Sequence, residues 1–275
     1  MTSAASEVFA PAKINLTLHV TGRRADGYHL LDSLVMFADV GDRVTVARAD
    51  HMSLTVTGPM AAGVPTDARN LCWRAAEAFG QPVAITLDKH LPAAAGIGGG
   101  SSDAAAVLRA MEQLFGRPFG GDLLSLGADV PVCMVAHAAR MQGIGEIVTP
   151  LDLPPLRAVL VNPRVEVATP AVFKALARRD NAPMVPLPDS RKADAVFGWL
   201  ADQRNDLEPP AAGLCPEISQ VLGALSSLDG VRLARMSGSG ATCFALFDAD
   251  TPTQVMARDL QTAFPQWWVA ATILT

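Results

Sequence analysis

Four of the five residues from Gly96 to Gly100 are glycine, and they run straight into Ser101-Ser102-Asp103 and an alanine-rich stretch. Glycine enters left-handed backbone conformations at no steric cost, so successive N–H groups can turn inward and form a concave anion nest. Serine is a strong helix N-cap, and a helix N-terminus carries partial positive charge and free N–H donors. Gly96, Gly98, Gly99, Gly100, Ser101 and Ser102 therefore read as a phosphate cradle made without basic side chains. The plainer alternative, a flexible linker ahead of a helix, leaves four glycines abutting two capping hydroxyls without a reason. No Gly-Lys-Ser/Thr follows, which excludes a P-loop. Ser101 stands where the third glycine of G-x-G-x-x-G belongs, so the run is a poor dinucleotide fingerprint.

This cradle sits in an acidic chain. The 275 residues carry a formal net charge of -5, which argues against a general nucleic-acid coat or a polybasic membrane anchor, so any anion must be held locally. Half the residues are apolar and 18% are charged, the balance of a compact globule. At roughly 100–200 residues per domain, the length fits two domains or one large one. Cys72, Cys133, Cys215 and Cys243 form no C-x-x-C, and the histidines show no H-x-x-x-H, so no structural zinc site and no protein metal ligand is assigned. Residues 1–11 include Glu7 and no continuous apolar stretch, so no secretory signal is expected. No run approaches the ~18 apolar residues of a membrane span. The expected address is a reducing cytoplasm, with the cysteines as small core hydrophobes.

Along the chain, strand signals fall at 13–20, 43–48, 52–57 and 83–87, and a helix is expected over 69–79, ending at Gly80. A second helix is expected from about 102 to 115, with Val107, Leu108, Met111, Leu114 and Phe115 on its apolar face. The proline pair in 150–155 places a domain boundary after residue 153, giving domains 1–153 and 154–275. Beyond it, strands are expected at 157–162, 231–235, 241–247 and 267–274, and helices at 170–178, 191–200, 216–227 and 252–263. The proline-rich stretch 182–190 reads as a mobile loop.

Three further segments carry candidate chemistry. Lys13, one of only four lysines, opens an apolar strand behind Pro11; it is either a solvated strand-end lysine or a buried charge that needs a partner. Asp129, directly after Gly127-Ala128, suits a catalytic carboxylate, a helix cap or an Asx-turn. The loop 236–242 (MSGSGAT) is a second glycine-serine segment, equally readable as a plain hairpin.

Taken together and in order, Pro11-Ala12-Lys13-Ile14-Asn15, the loop from Pro92 to Asp103, Leu126 to Pro131 and Gly238-Ser239-Gly240-Ala241 resemble the GHMP kinase superfamily. Gly98–Gly100 ahead of Ser-Ser-Asp, Arg24-Ala-Asp-Gly-Tyr28-His29 and Gly127 to Pro131 select within it the branch whose acceptor is a cytidine-diphosphate-linked methylerythritol. Thr169-Pro170 and Asn205-Asp206-Leu207 fit as well. The departures are Ile97 for a usual Leu, Ala93 and Ala94 where Met often occurs, and Ser237 for a common Thr.

The resemblance implies an α+β two-domain fold, with a ribosomal-S5-like N-terminal half and a C-terminal α/β sandwich, and ATP, Mg²⁺ and acceptor meeting in the cleft between them. It implies that Asp129 takes or orients the proton of the acceptor's 2-hydroxyl, that Lys13 favours the alkoxide-like state, and that the glycine loop with Ser101 and Ser102 wraps the ATP phosphates. Asn70 resembles a position near the nucleoside of ATP. Asn15 would share the acceptor site, Tyr28 and Phe173 would stack the cytosine, His29 would hydrogen-bond it, and Thr169 would lie near the acceptor's phosphates.

Overall fold

The computed structural model describes residues 5–93 and 95–275. In chain order the elements are β1 (Ala5–Asn15), β2 (His19–Arg23), β3 (His29–Arg48), β4 (Ser53–Thr57), α1 (Leu71–Phe79), β5 (Val83–Asp88), α2 (Gly99–Phe115), α3 (Val130–Val135), β6 (Ala139–Gly143) and β7 (Ile147–Pro150). They continue with β8 (Leu156–Asn162), α4 (Thr169–Lys174), α5 (Ala193–Ala201), α6 (Glu208–Leu214), α7 (Pro216–Ser226), β9 (Leu233–Met236), β10 (Cys243–Phe247), α8 (Thr253–Ala263) and β11 (Trp268–Leu274). These fold into two compact units that interleave along the sequence. The first gathers the chain up to Lys13, Val40–Ala93 and Gly98–Ala136; the second gathers Ile14–Asp39, Ala94–Ile97 and His137–Thr275. The expected boundary after residue 153 falls inside the second unit, between β7 and β8.

In the first unit the C-terminal half of β3 pairs antiparallel with β5, Arg43 opposite Asp88, and β4 adds in parallel. Helices α1 and α2 cover this layer through Cys72, Ala75, Phe79, Val107, Leu108 and Met111. Gly80 and Gly116 end the two helices in left-handed C-caps, as the sequence anticipates. In the second unit the N-terminal half of β3 pairs with β2 and β6, β6 pairs with β7, and β11, β8, β10 and β9 form an antiparallel ladder. Its core packs Val159, Val161, Ile218, Val221, Ala245 and Phe247.

Three expectations need correction. The segment 13–20 is not one strand: β1 ends at Asn15, and β2 begins at His19. Helix α2 starts at Gly99 rather than 102; Gly98, with φ of 62°, is its N-cap, and no side chain caps it. The Ser102 hydroxyl, fully buried, instead donates to the Pro11 carbonyl at 2.7 Å, which anchors the helix start to β1. The 182–190 stretch is irregular, as expected, but its first part is strapped down: Met184 is 4% exposed, and its N–H donates to Asp32 at 3.0 Å.

Candidate active site

The sequence candidates in the first unit gather around Lys13. Its stem is enclosed by the backbone of Gly98, where a Cβ would stand 3.2 Å from the lysine Cβ and 3.3 Å from its Cε. A Cβ there would press the lysine stem aside by a few tenths of an ångström, and with φ of 62° glycine takes that conformation at low cost. Lys13 Nζ reaches Asp129 Oδ2 at 2.8 Å; the lysine side chain is 4% exposed and the aspartate side chain 33%. The solvated strand-end reading of Lys13 is thereby excluded. Asp129 occupies the N-cap position of α3 but makes no side-chain capping bond, so its carboxylate is left for Lys13 and for solvent. Beside the pair, burial and then the Asp129 charge push the Cys133 thiol up to about 12.

Ser101 lies next to Gly127, whose Cβ would stand 3.7 Å from the serine Oγ. This brings the glycine run and the Leu126–Pro131 segment together. Gly99 and Gly100 form the first turn of α2, and a Cβ on Gly100 would stand 3.7 Å from Leu71 Cδ1 at the start of α1. Asn70 is adjacent, but its side chain is committed to structure: Oδ1 accepts from Cys72 N–H at 2.9 Å as the N-cap of α1, and Nδ2 donates to the Pro65 carbonyl at 2.8 Å. Ala94, in the same loop, lies outside the described residues.

The second unit contains the other end of the glycine run. Gly96, with φ of 71°, packs backbone to backbone on the 236–242 loop; a Cβ would be 2.6 Å from the Ser237 carbonyl and 2.7 Å from that of Gly240. The Ser237 hydroxyl donates to the Gly96 carbonyl and accepts the N–H of Asn15, each at 3.0 Å. Asn15 is fully buried; its Nδ2 donates to Ser33 Oγ at 2.8 Å, while its Oδ1, facing Gly238, has no partner among the described residues. The His29 ring stacks on Phe173 with centroids 4.7 Å apart, and its buried Nδ1 also lacks a partner among the described residues. Burial, then the charges of Arg23 and Arg179, hold His29 below its ordinary value and keep the ring neutral. Thr169 Oγ1 bonds Ser239 Oγ at 2.8 Å, which joins α4 to the glycine-serine loop. Tyr28 is not drawn into this stack; it is 59% exposed and makes no ring pair among the described residues.

Residues the sequence reading passed over organise these groups. Ser33 fixes the Asn15 amide, and the buried Asn205 donates to the carbonyls of Met236 and Gly238 at 2.8 and 2.9 Å, which sets the glycine-serine loop. Asn205 stood within a noted triplet, so its signal was present; Ser33, inside an apolar strand, carried none.

Residues 70–141 match the GHMP kinases N terminal domain, and residues 193–265 match GHMP kinases C terminal. A 4-diphosphocytidyl-2-C-methyl-D-erythritol kinase of Cereibacter sphaeroides is 57% identical over 96% of this chain and 97% of its own length. The chain belongs to the 4-diphosphocytidyl-2-C-methyl-D-erythritol kinase family of GHMP kinases. A solved 4-(cytidine 5'-diphospho)-2C-methyl-D-erythritol kinase superposes with a TM-score of 0.76 at 39% identity, covering 98% of each chain. Homoserine kinase from Cytophaga hutchinsonii shares the fold alone, with a TM-score of 0.65 at 19% identity over 99% of this chain and 95% of its own. The α+β two-domain GHMP kinase fold expected from the sequence is therefore the fold of this chain, and ATP is the phosphoryl donor that kinase membership implies.

Proposed function

We propose that this GHMP kinase transfers the γ-phosphoryl group of ATP to the 2-hydroxyl of 4-diphosphocytidyl-2-C-methyl-D-erythritol, a step of the methylerythritol phosphate route to isoprenoid precursors. The observation that carries the mechanism is the 2.8 Å contact between Lys13 and Asp129, one side chain buried and the other open to solvent. In the reaction the acceptor oxygen forms a bond to phosphorus while the bond from phosphorus to the β-bridging oxygen breaks, and ADP leaves. The hydroxyl proton passes to Asp129, and the Lys13 ammonium stabilises the negative charge that grows on the acceptor oxygen. A charge held out of water acts strongly on its neighbours, which favours a buried lysine in that task.

Gly96, Gly98, Gly99, Gly100 and Ser101 are assigned to the ATP phosphates, which receive backbone N–H groups and the positive end of α2, whereas Ser102, with its hydroxyl on the Pro11 carbonyl and its N–H on that of Gly98, is assigned to the loop through its anchoring of the helix start. Asn70 is assigned to the neighbourhood of the nucleoside through its position beside the loop rather than through its side chain, which caps α1. Mg²⁺ takes oxygen ligands and usually keeps several waters, so it is proposed to ride on the phosphate oxygens. Among the described residues no group of three or more His, Cys, Asp or Glu could hold it independently.

For the acceptor, Asn15 Oδ1 and His29 Nδ1 are buried polar atoms without a partner among the described residues that a ligand would satisfy, which supports their assignment to acceptor and cytosine. Tyr28 and Phe173 supply aromatic faces for the base, and Thr169 lies near the acceptor's phosphates on this reading. The four cysteines are buried and free, in keeping with a reducing cytoplasm. No helix among the described residues is long and apolar enough to cross a membrane.

The test is ADP release with the cytidine-bearing acceptor against the same polyol lacking the cytidine; equal turnover of both would point to a small-alcohol kinase instead. Asp129→Asn is expected to lower kcat by about 10²–10⁴-fold while ATP still binds. Near-wild-type turnover by that variant would remove Asp129 as the base.

A further inference from the structure

Beneath the glycine run lies a set of charges to which the proposed chemistry gives no task. Lys89, just past β5, is 3% exposed, and its Nζ donates to Asp42 and, at 3.0 Å, to Asp103 Oδ2. Asp42, fully buried on β3, directs its other oxygen to the backbone N–H groups of His90 at 2.5 Å and Leu91 at 2.8 Å, the residues that lead into the loop. Asp103, in the second turn of α2, is 2% exposed, and its Oδ1 is buried without a hydrogen-bond partner among the described residues. A Cβ on Gly99 would come 3.4 Å from Lys89 Nζ. One cluster thus ties β3, the entry to the glycine run and the start of α2, directly behind the backbone assigned to phosphate.

We propose that Lys89 is a positioning residue for ATP: pinned between Asp42 and Asp103, it fixes the first turn of α2 and holds a positive charge behind Gly98–Gly100. Being buried, the ammonium acts through the loop and through its field. This rests on assigning the glycine run to ATP and is independent of the acceptor's identity.

The charge count sets how the cluster acts. One ammonium and two ionised carboxylates would present net negative charge to a polyphosphate, whereas a proton on Asp103 leaves the cluster neutral with its cation nearest the helix start. Burial, then the neighbouring Asp42 carboxylate, push Asp103 up to about 8, with Lys89 opposing only in part. Lys89 stays charged, because its two carboxylates outweigh the burial that works against it. The other titratable groups close by are the thiols of Cys72 on α1 and Cys133 on α3, both pushed up and kept neutral mainly by burial. ATP binding should therefore weaken as pH rises through about 8 and Asp103 ionises.

MgATP titrated calorimetrically into the full-length wild type, Lys89→Met and Asp103→Asn, with no acceptor present and with melting curves to establish folding, tests this. Lys89→Met is expected to weaken MgATP binding about tenfold, because it leaves the Asp42 and Asp103 carboxyls behind the loop without their cation. The acceptor KM should not change. Asp103→Asn keeps the oxygen that accepts from Lys89, so it should bind like wild type at pH 7 and hold that affinity at pH 9, where wild type weakens severalfold. A folded Lys89→Met variant within about twofold of wild type would overturn the proposal. An Asp103→Asn variant losing affinity with pH in parallel with wild type would also overturn it, and that arm decides alone if Lys89→Met does not fold. Failure of wild type to bind MgATP would sink the loop assignment itself, a result distinct from either.

Discussion

A lysine can be buried at strand position 13 because one carboxylate stands 2.8 Å away, and a lysine can be buried at position 89 because two carboxylates hold it. The two differ in what remains open. Asp129 keeps a third of its side chain exposed, so a substrate hydroxyl can reach it, whereas Asp42 and Asp103 are closed off. On the roles proposed above, the first pair serves chemistry and the second serves positioning. Tyr28 is the opposite case, a large aromatic side chain left 59% exposed next in sequence to a histidine whose buried ring nitrogen has no partner among the described residues. An exposed ring with no ring stacked on it among the described residues has its face available to a planar base. Stacking a base on an aromatic side chain is worth roughly 1–3 kcal/mol, so Tyr28→Ala is expected to raise the acceptor KM about tenfold or more while the KM for ATP stays level. An unchanged acceptor KM in steady-state assays would withdraw Tyr28 from the site. Scarcity made this residue legible, since it is the chain's only tyrosine.

At the scale of elements, β3 shows why part of the fold escaped the sequence reading. Only 43–48 alternates cleanly; upstream, Asp32, Ser33, Asp39, Gly41 and Asp42 interrupt the apolar pattern. Each interruption is satisfied from elsewhere. Asp32 takes both of its oxygens to Arg140 at 2.7 Å, Ser33 bonds Asn15 and the Thr17 carbonyl, and Asp42 takes Lys89 and two backbone N–H groups. Gly41 leaves room for β1, since a Cβ there would meet the Ala10 carbonyl and Pro11 Cα at 2.8 Å or less. Partners that lie 16 to 108 residues away in sequence leave no local periodicity. The helix start at Gly99 escaped for a related reason: a left-handed Gly98 against Lys13 sets it, rather than a serine cap. Gly96 obeys the same close packing. A side chain there costs roughly 1–2 kcal/mol for the left-handed backbone and about 1–3 kcal/mol for overpacking. Urea denaturation of Gly96→Ala is therefore expected to show a loss of about 2–5 kcal/mol. A loss below about 0.5 kcal/mol would mean the 236–242 loop yields to the new methyl.

At the scale of the whole molecule, long-range polar ties hold the irregular segments. In the second unit, residues 181–185 are fastened to β2 and β3: Asn181 N–H donates to the Val20 carbonyl at 3.0 Å, Met184 N–H to Asp32 at 3.0 Å, and the Trp199 indole to the Val185 carbonyl at 3.3 Å. His19, 1% exposed, joins the same strap through Nδ1 and the Ala182 carbonyl at 3.2 Å. Burial, then the Arg204 guanidinium, hold His19 below its ordinary value, against smaller opposing contributions from the Ala182 carbonyl, Asp206 and Asp32. The unfolded chain therefore takes up this proton near pH 6.5 and the folded chain only at lower pH, so stability is full above about 6.5 and falls as the solution is acidified. Denaturation midpoints measured between pH 7 and pH 5 should decline in wild type and decline less in His19→Gln. Parallel curves for the two proteins would show that His19 is not a source of the acid sensitivity.

The sequence alone determined the family and the fold: glycines abutting a helix start, Lys13, Asp129 and the D-G-Y-H segment each sit in a short window, and their order is that of a GHMP kinase. Tertiary structure alone decided which charges are buried, where α2 begins, that 181–185 is strapped to its neighbours, and that Asn15 and His29 each keep one atom without a partner among the described residues. The division has a physical cause. Motif chemistry is carried by neighbours in the chain, whereas burial and polar satisfaction depend on partners that folding brings from far along it.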